Sequence, residues 1–448
     1  MRRSTVAGLF LLFTAGVLLR LGYCHFTRGL GQPGTEGFRE YVVAAQRLLD
    51  TGVLSSPLIA QPEAARAPSD LLPPVYVGVV AAAFKLWGVE TFAAILALQV
   101  LNAAATSLAA VLALLIGRKL AGECAGWIAG LVVLLHPGTI GYTNYIWDTA
   151  LFTLAATWTV WLSLRLADGP LSGRRCLWFG LALGAVALLN PAWTAAYPLL
   201  VLWPLARRGE WSRPKVARAV GLAVVGWALA IAPWTTRNYV QVGEWSYIRG
   251  GLGLELWLGA CPEVDGVGRV YENRFPSFSD AEQRRITAMG ERAYVRECQA
   301  RAWAAIQADP WRYLRLCAWR AVDFWGGTIF THTDPGRNRW PQGLVRAGVM
   351  AWMAAEVGAI GVLLWIVGGI PRDLRWLLGM VALFSVLYCL THVELRFRAP
   401  VAPLLAVLVA CSAVLAQQRR RAVKTSPTTV SAAASRISQP QCMMGRQV

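Results

Sequence analysis

The sequence predicts an all-α polytopic membrane protein of about ten transmembrane helices, with interfacial helices and a mainly helical domain on the outer face. Three observations carry that expectation. Of 448 residues, 56% are hydrophobic and only 15% charged, far from the roughly 25% charged composition of soluble domains. The mean hydropathy is +0.45 and the chain holds 21 Trp, a residue that anchors helices at membrane interfaces. The net charge of +18 lies mainly in short clusters between apolar runs, where the positive-inside rule puts it, and this argues against nucleic acid as a partner. The cysteines Cys24, Cys124, Cys176, Cys261, Cys298, Cys317, Cys389, Cys411 and Cys442 show no C-x-x-C and no metal-ligand spacing; they read mostly as small apolar residues.

The first apolar run, 5–23, follows Met1-Arg2-Arg3 without a small-residue cleavage site, so it reads as a retained signal anchor with a cytoplasmic N-terminus. Residues 24–74 form the first outer segment, with a helix-like stretch over 38–49. The run 75–88 after Pro73-Pro74 is too short for a span of about 20 residues and reads as interfacial or re-entrant. Excluding it places Arg118-Lys119, after the run 91–117, on the inside. The chain then goes out through 125–137 and back through 149–166 to Arg165, Arg174 and Arg175. The run 176–206, interrupted at Asn190-Pro191, predicts two short helices meeting near the outer face, which puts Arg207, Arg208, Arg213, Lys215 and Arg218 inside.

A span over 219–234 opens a polar outer segment with an amphipathic helix at 280–306 and a second helix at 310–325. Spans 347–370, 376–391 and 400–417 follow, with Arg372 and Arg375 inside, so both termini are cytoplasmic. The expected organisation is an N-terminal transmembrane module (1–234) containing the first outer loop (24–74), an outer-face segment (235–346), C-terminal transmembrane helices (347–417) and a disordered cytoplasmic tail (418–448) rich in Ser, Thr, Ala and Gln. No internal repeat is visible, which weakens an inverted-repeat transporter reading.

This topology gathers Glu36, Glu40 and Asp148 on one aqueous face. Glu36 and Glu40 are four apart and would share one side of a helix. Either carboxylate could act as general base toward an acceptor hydroxyl, or both could be the solvated acidic start of a helix. Asp148, before the span at Thr149, reads either as a functional acid or as a helix N-cap. Glu356 falls mid-span, where an ionisable group is costly, and it reads as well as a protonated acid bonded to a neighbouring helix. Basic residues on the outer side are less expected, so Arg237, Lys85, Arg396 and Arg398 ask for an anion. The candidates are a phosphate, whose oxygens match the arginine fork, or bulk lipid headgroups. Arg396 and Arg398 flank Phe397 and would point the same way in an extended segment, the form expected ahead of Pro400. There is no G-x-x-x-x-G-K-[ST], H-E-x-x-H, G-x-S-x-G or D-x-D pattern, and the histidines are dispersed.

A set of short motifs resembles the membrane glycosyltransferases of the C superfamily, specifically the bacterial relatives of dolichyl-phosphate-mannose protein mannosyltransferases and aminoarabinose transferases. Its elements, up to about Pro403, are an acidic loop leading into Tyr41-Val42-Val43-Ala44-Ala45-Gln46-Arg47-Leu48-Leu49; Pro73-Pro74-Val75-Tyr76 running to Lys85-Leu86-Trp87-Gly88; Asp148; Pro233-Trp234 with Arg237-Asn238; Gly250-Gly251-Leu252-Gly253-Leu254-Glu255-Leu256-Trp257-Leu258-Gly259; Asp309-Pro310-Trp311-Arg312-Tyr313; and Arg396-Phe397-Arg398-Ala399-Pro400. The resemblance implies a multi-pass plasma (inner) membrane enzyme with its active site on the non-cytoplasmic face. It would take a hexose or pentose from a polyprenyl-phosphate donor to an acceptor, with inversion at the anomeric carbon.

The family's aspartate a few residues before the Tyr is absent here. Glu36 is the nearest substitute and Glu40 the second, with Asp148 supporting the acceptor. The resemblance places Arg237, Arg396 and Arg398 near the lipid phosphate, with Lys85 next in line. No cofactor is required; a divalent metal is compatible with the sequence. Membrane lipids are partners, and the acceptor is a protein, a lipid or a glycan. A transporter or flippase of lipid-linked sugars is the alternative from a different class.

Overall fold

Apolar runs whose backbone groups must be satisfied within the lipid can only close on themselves as helices, and helices account for nearly all ordered chain in the computed structural model, which describes residues 3–27, 29–32, 39–59, 66–209, 211–264, 275–326, 340–367 and 369–425. The order is α1 (Arg3–Thr27), α2 (Glu40–Thr51), α3 (Pro74–Trp87), α4 (Phe92–Ala121), α5 (Glu123–Leu135), the short α6 (Pro137–Gly141), α7 (Thr149–Ala167), α8 (Gly173–Leu189), α9 (Tyr197–Arg208) and α10 (Arg213–Arg237). Then come α11 (Leu252–Ala260), α12 (Asp280–Met289), α13 (Glu291–Ala308), α14 (Pro310–Gly326), α15 (Trp340–Val367), α16 (Arg372–Leu390) and α17 (Ala402–Thr425). Among the described residues the only β-pairing is an isolated bridge between Ser55 and Pro68.

Every predicted crossing coincides with a helix. Among the described residues six helices are long and apolar enough to span a membrane, and α5 with the bent segment after it makes a seventh if the pair is one span. The chain is a multi-pass membrane protein. α8 and α9, of 17 and 12 residues, are shorter than a full span, and they meet at a 3₁₀ turn, Pro191–Ala196, where Asn190 Oδ1 accepts from the Ala192 amide at 3.0 Å. This is the break expected at Asn190-Pro191. α3 is a 14-residue helix.

Two expectations are corrected. The amphipathic stretch 280–306 is not one helix: Gly290, at φ +81°, separates α12 from α13. α17 continues through Thr425, into the segment expected to be disordered, and 426–448 lie outside the described residues.

α4 and α17 form the centre of the bundle, with 72% and 83% of their apolar windows buried, whereas α1 and α10 are peripheral at 17% and 22%. α10 crosses α8 at backbone contact: a Cβ on Gly180 would sit 2.0 Å from the Ala223 carbonyl oxygen, the small-residue packing that membrane helices use in place of a hydrophobic driving force. Arg20, fully buried in α1, donates to Thr106 Oγ1 at 2.7 Å, Thr139 Oγ1 at 3.0 Å and the Val133 carbonyl at 3.3 Å. Neutral acceptors thus hold this cation and tie α1 to α4 and to the α5–α6 bend.

The basic clusters converge at one end of the bundle. Lys119 pairs with Asp168 and Arg207 with Asp373, Arg208 donates to the Gly169 carbonyl at 2.9 Å, and Arg372 donates to the Ala206 carbonyl. α7 starts and α8 and α16 finish at the opposite end, and there the chain builds a cavity.

Candidate active site

The cavity, of about 340 Å³, is lined by residues from the start of α2, the mouth of α7, the Asn190 turn, the segment before α11, the end of α16 and the segment before α17. Glu40 opens α2 and is only 5% exposed. It is therefore no solvated helix start. Both its carboxylate oxygens are buried without a hydrogen-bond partner. Burial pushes its pKa up to about 7, its own backbone amide and the Arg396 and Arg249 cations pull against that rise, and Glu394 adds to it. An acid of this kind exchanges a proton near neutral pH.

Asp148 occupies the N-cap position of α7, but its side chain caps nothing. Its carboxylate instead accepts from Asn190 Nδ2 at 2.9 Å and from the Tyr41 hydroxyl. Burial raises its pKa, and the Asn190 bond, the two arginines and Tyr41 oppose the shift. Tyr41, next to Glu40, is fixed by edge-on contacts to Tyr76 and Trp147, each with ring centroids 4.9 Å apart. One short segment thus positions both acids.

The basic side of the cavity is Arg396 and Arg249. Arg396 Nε lies 2.8 Å from Glu394, and its guanidinium stacks 4.3 Å from the Trp147 ring centroid. Arg249 Nη2 reaches Glu255 at 2.6 Å. His392 stands between Glu255, 3.2 Å from Nδ1, and Glu394, 3.6 Å from Nε2. Arg249, Glu255, His392 and Arg396 thus make a connected polar side of the cavity, with Glu394 behind it.

Other expected site residues do not join this cavity. The extended form expected around Phe397 is replaced by a 3₁₀ helix, Leu395–Val401. At about three residues per turn, side chains two apart diverge: Arg396 faces the cavity, and Arg398, 1% exposed, turns into the bundle. There it donates to Glu356 at 3.0 Å, to the Trp325 carbonyl at 2.5 Å and to the Met353 carbonyl at 3.3 Å. Glu356 is thereby accounted for as an ion-pair partner of Arg398. Arg237 donates to the Ser69 and Leu54 carbonyls at 2.6 and 3.1 Å and stacks on Trp234, so its fork is used in holding the first loop. Lys85 is exposed on α3, away from the cavity lining. Glu36 lies outside the described residues. Among the described residues no group of three or more His, Cys, Asp or Glu side chains is arranged to hold a metal ion.

Sequence reasoning missed Arg249, Glu255, His392 and Asn190. The pattern His392-Val393-Glu394-Leu395-Arg396, at the end of an apolar run, carried a signal that the dispersal of the histidines hid.

No family model and no curated protein matches the chain. Solved structures to which it is similar include ArnT from Cupriavidus metallidurans bound to undecaprenyl phosphate, at 13% identity and a TM-score of 0.42, and the same protein in the apo state, at 14% and 0.36. Each match covers 94% of this chain and 80% of the other. The chemistry assigned to this chain rests on its own residues.

Proposed function

We propose that the chain is an integral-membrane glycosyltransferase that moves a hexose or pentose from a polyprenyl-phosphate carrier to an acceptor on the non-cytoplasmic face, with inversion. The observation that carries this reading is Glu40: a buried, unpartnered carboxylate, close to neutral in pKa, facing a cavity it shares with Asp148, Arg249 and Arg396. The cavity lies at the end of the bundle opposite the basic clusters, which the positive-inside rule assigns to the cytoplasm. Glu40 takes the proton of an acceptor hydroxyl or amine. The acceptor atom bonds to the anomeric carbon, the bond from that carbon to the carrier phosphate oxygen breaks, and the phosphate leaves with the electron pair. Asp148, held by Asn190 and Tyr41, orients the acceptor. Arg396 and Arg249 stabilise the departing phosphate; Arg237, Arg398 and Lys85 do not line this cavity, and the reading gives the phosphate to the two arginines that do.

A base with a pKa near 7 must be deprotonated to work, so transfer should rise with pH through about 7 and level off above about 8. A pH profile of kcat/KM for the donor measures this, and a flat profile from about pH 6 to pH 8 contradicts the role of Glu40. Arg396→Lys keeps the charge and loses the two-pronged fork. Donor titration should show weaker binding and slower transfer for Arg396→Lys, with Arg237→Lys unchanged in donor affinity; the reverse ranking would move the phosphate to Arg237.

A further inference from the structure

Tyr313, Cys317 and Arg320 follow one another on α14 at spacings of four and three residues, which places them on one face of the helix. The two outer members both grip the last turn of α16. Tyr313 Oη donates to the Leu390 carbonyl at 2.6 Å, and Arg320 Nη1 donates to the Cys389 carbonyl at 3.2 Å. Cys317, between them on the same face, is thereby turned toward the last turn of α16, which carries Cys389. Both are free and half-buried, whereas Cys24, Cys176, Cys261, Cys298 and Cys411 are buried and Cys124 is exposed.

We propose that Cys317 and Cys389 are a redox-active pair that closes to a disulfide joining α14 to the end of α16. The oxidant is a disulfide-bearing molecule, either a small thiol disulfide or a dithiol oxidase of an oxidising compartment. One thiolate attacks an oxidant sulfur and releases one thiol. The second thiolate then attacks the mixed disulfide and releases the other thiol, so that both protons and both electrons pass to the oxidant as an S–S bond forms between Cys317 and Cys389.

The bridge would sit directly behind the cavity wall. Cys389 adjoins Tyr388, and the chain continues through Thr391 and His392, all of which line the cavity. Oxidation would fix that wall to α14. This pairing does not depend on the proposed sugar transfer.

The test uses the full chain purified in detergent, treated with excess oxidised glutathione, alkylated, digested without reduction and mapped by mass spectrometry. The expected result is one species joining the Cys317 and Cys389 peptides, lighter by two hydrogens, reversed by a reductant and absent in Cys317→Ser. In that variant Cys389 should become alkylatable or carry glutathione, while the cooperative melting transition is retained. Wild-type protein in which both thiols stay alkylatable, or in which each carries its own glutathione, would overturn the proposal. Crosslinks of either cysteine to Cys261 or Cys298 would overturn it too.

Discussion

Glu40→Gln should lower turnover by roughly 10²- to 10⁴-fold, the range expected when a general base is removed, while leaving the fold intact. The substitution is nearly isosteric, and Glu40 makes no side-chain hydrogen bond that Gln would break. It also removes the desolvation cost of ionising a carboxyl that is 5% exposed. Donor KM should change little, because Arg396 and Arg249 remain. Asp148→Asn keeps an oxygen for Asn190 and loses the charge, so a smaller fall in turnover with a raised acceptor KM is expected. Steady-state kinetics with donor and acceptor varied separately would resolve the two. Glu36→Gln is the necessary comparison, since Glu36 is the rival base; near-normal turnover in both Glu36→Gln and Glu40→Gln would reject a carboxylate base from this loop.

The second large effect is structural. Arg398→Met should destabilise the protein by about 3–5 kcal/mol, the cost of leaving one partner of a buried ion pair alone. Arg398 and Glu356 are 1% and 6% exposed, and Arg398 also satisfies carbonyls at the end of α14 and in α15. The double variant Arg398→Met with Glu356→Leu should recover much of the loss, because no buried charge is left unpaired. Denaturation in detergent followed by helical signal would show this ordering. Equal stability of wild type and Arg398→Met would mean that the pair contributes nothing. Because Arg396 lies two residues away on the same 3₁₀ turn, the single variant should also lose activity in its folded fraction.

Much of the architecture was legible in the sequence because lipid imposes one rule on every span. Apolar length located the helices, and Asn190-Pro191 marked the break between α8 and α9. Glu40 and Asp148 were legible as outlying acids near aromatic residues. The partners of Arg398 were not, since nothing local to 395–401 indicates that its guanidinium meets Glu356 from another helix. The geometry of that segment differs from the extended form for a related reason: the rule that disfavours helix before Pro400 is outweighed by a 3₁₀ turn leading into α17. Arg20 carries no signal of its own within an apolar run, because its acceptors, Thr106, Thr139 and the Val133 carbonyl, are neutral groups brought together only by packing. Likewise Arg249 and His392 were invisible as site residues, because their neighbours in space come from segments far apart in sequence.

Transfer by the purified protein from a panel of radiolabelled polyprenyl-phosphate sugars, with product mass and released polyprenyl phosphate both measured, tests the central claim most directly. The account predicts that one donor is consumed with equal amounts of sugar-modified acceptor and free polyprenyl phosphate, and that Glu40→Gln binds this donor but does not cleave it. Donor that crosses the bilayer intact in proteoliposomes, with no polyprenyl phosphate released, would contradict it and establish a transporter of lipid-linked sugars instead.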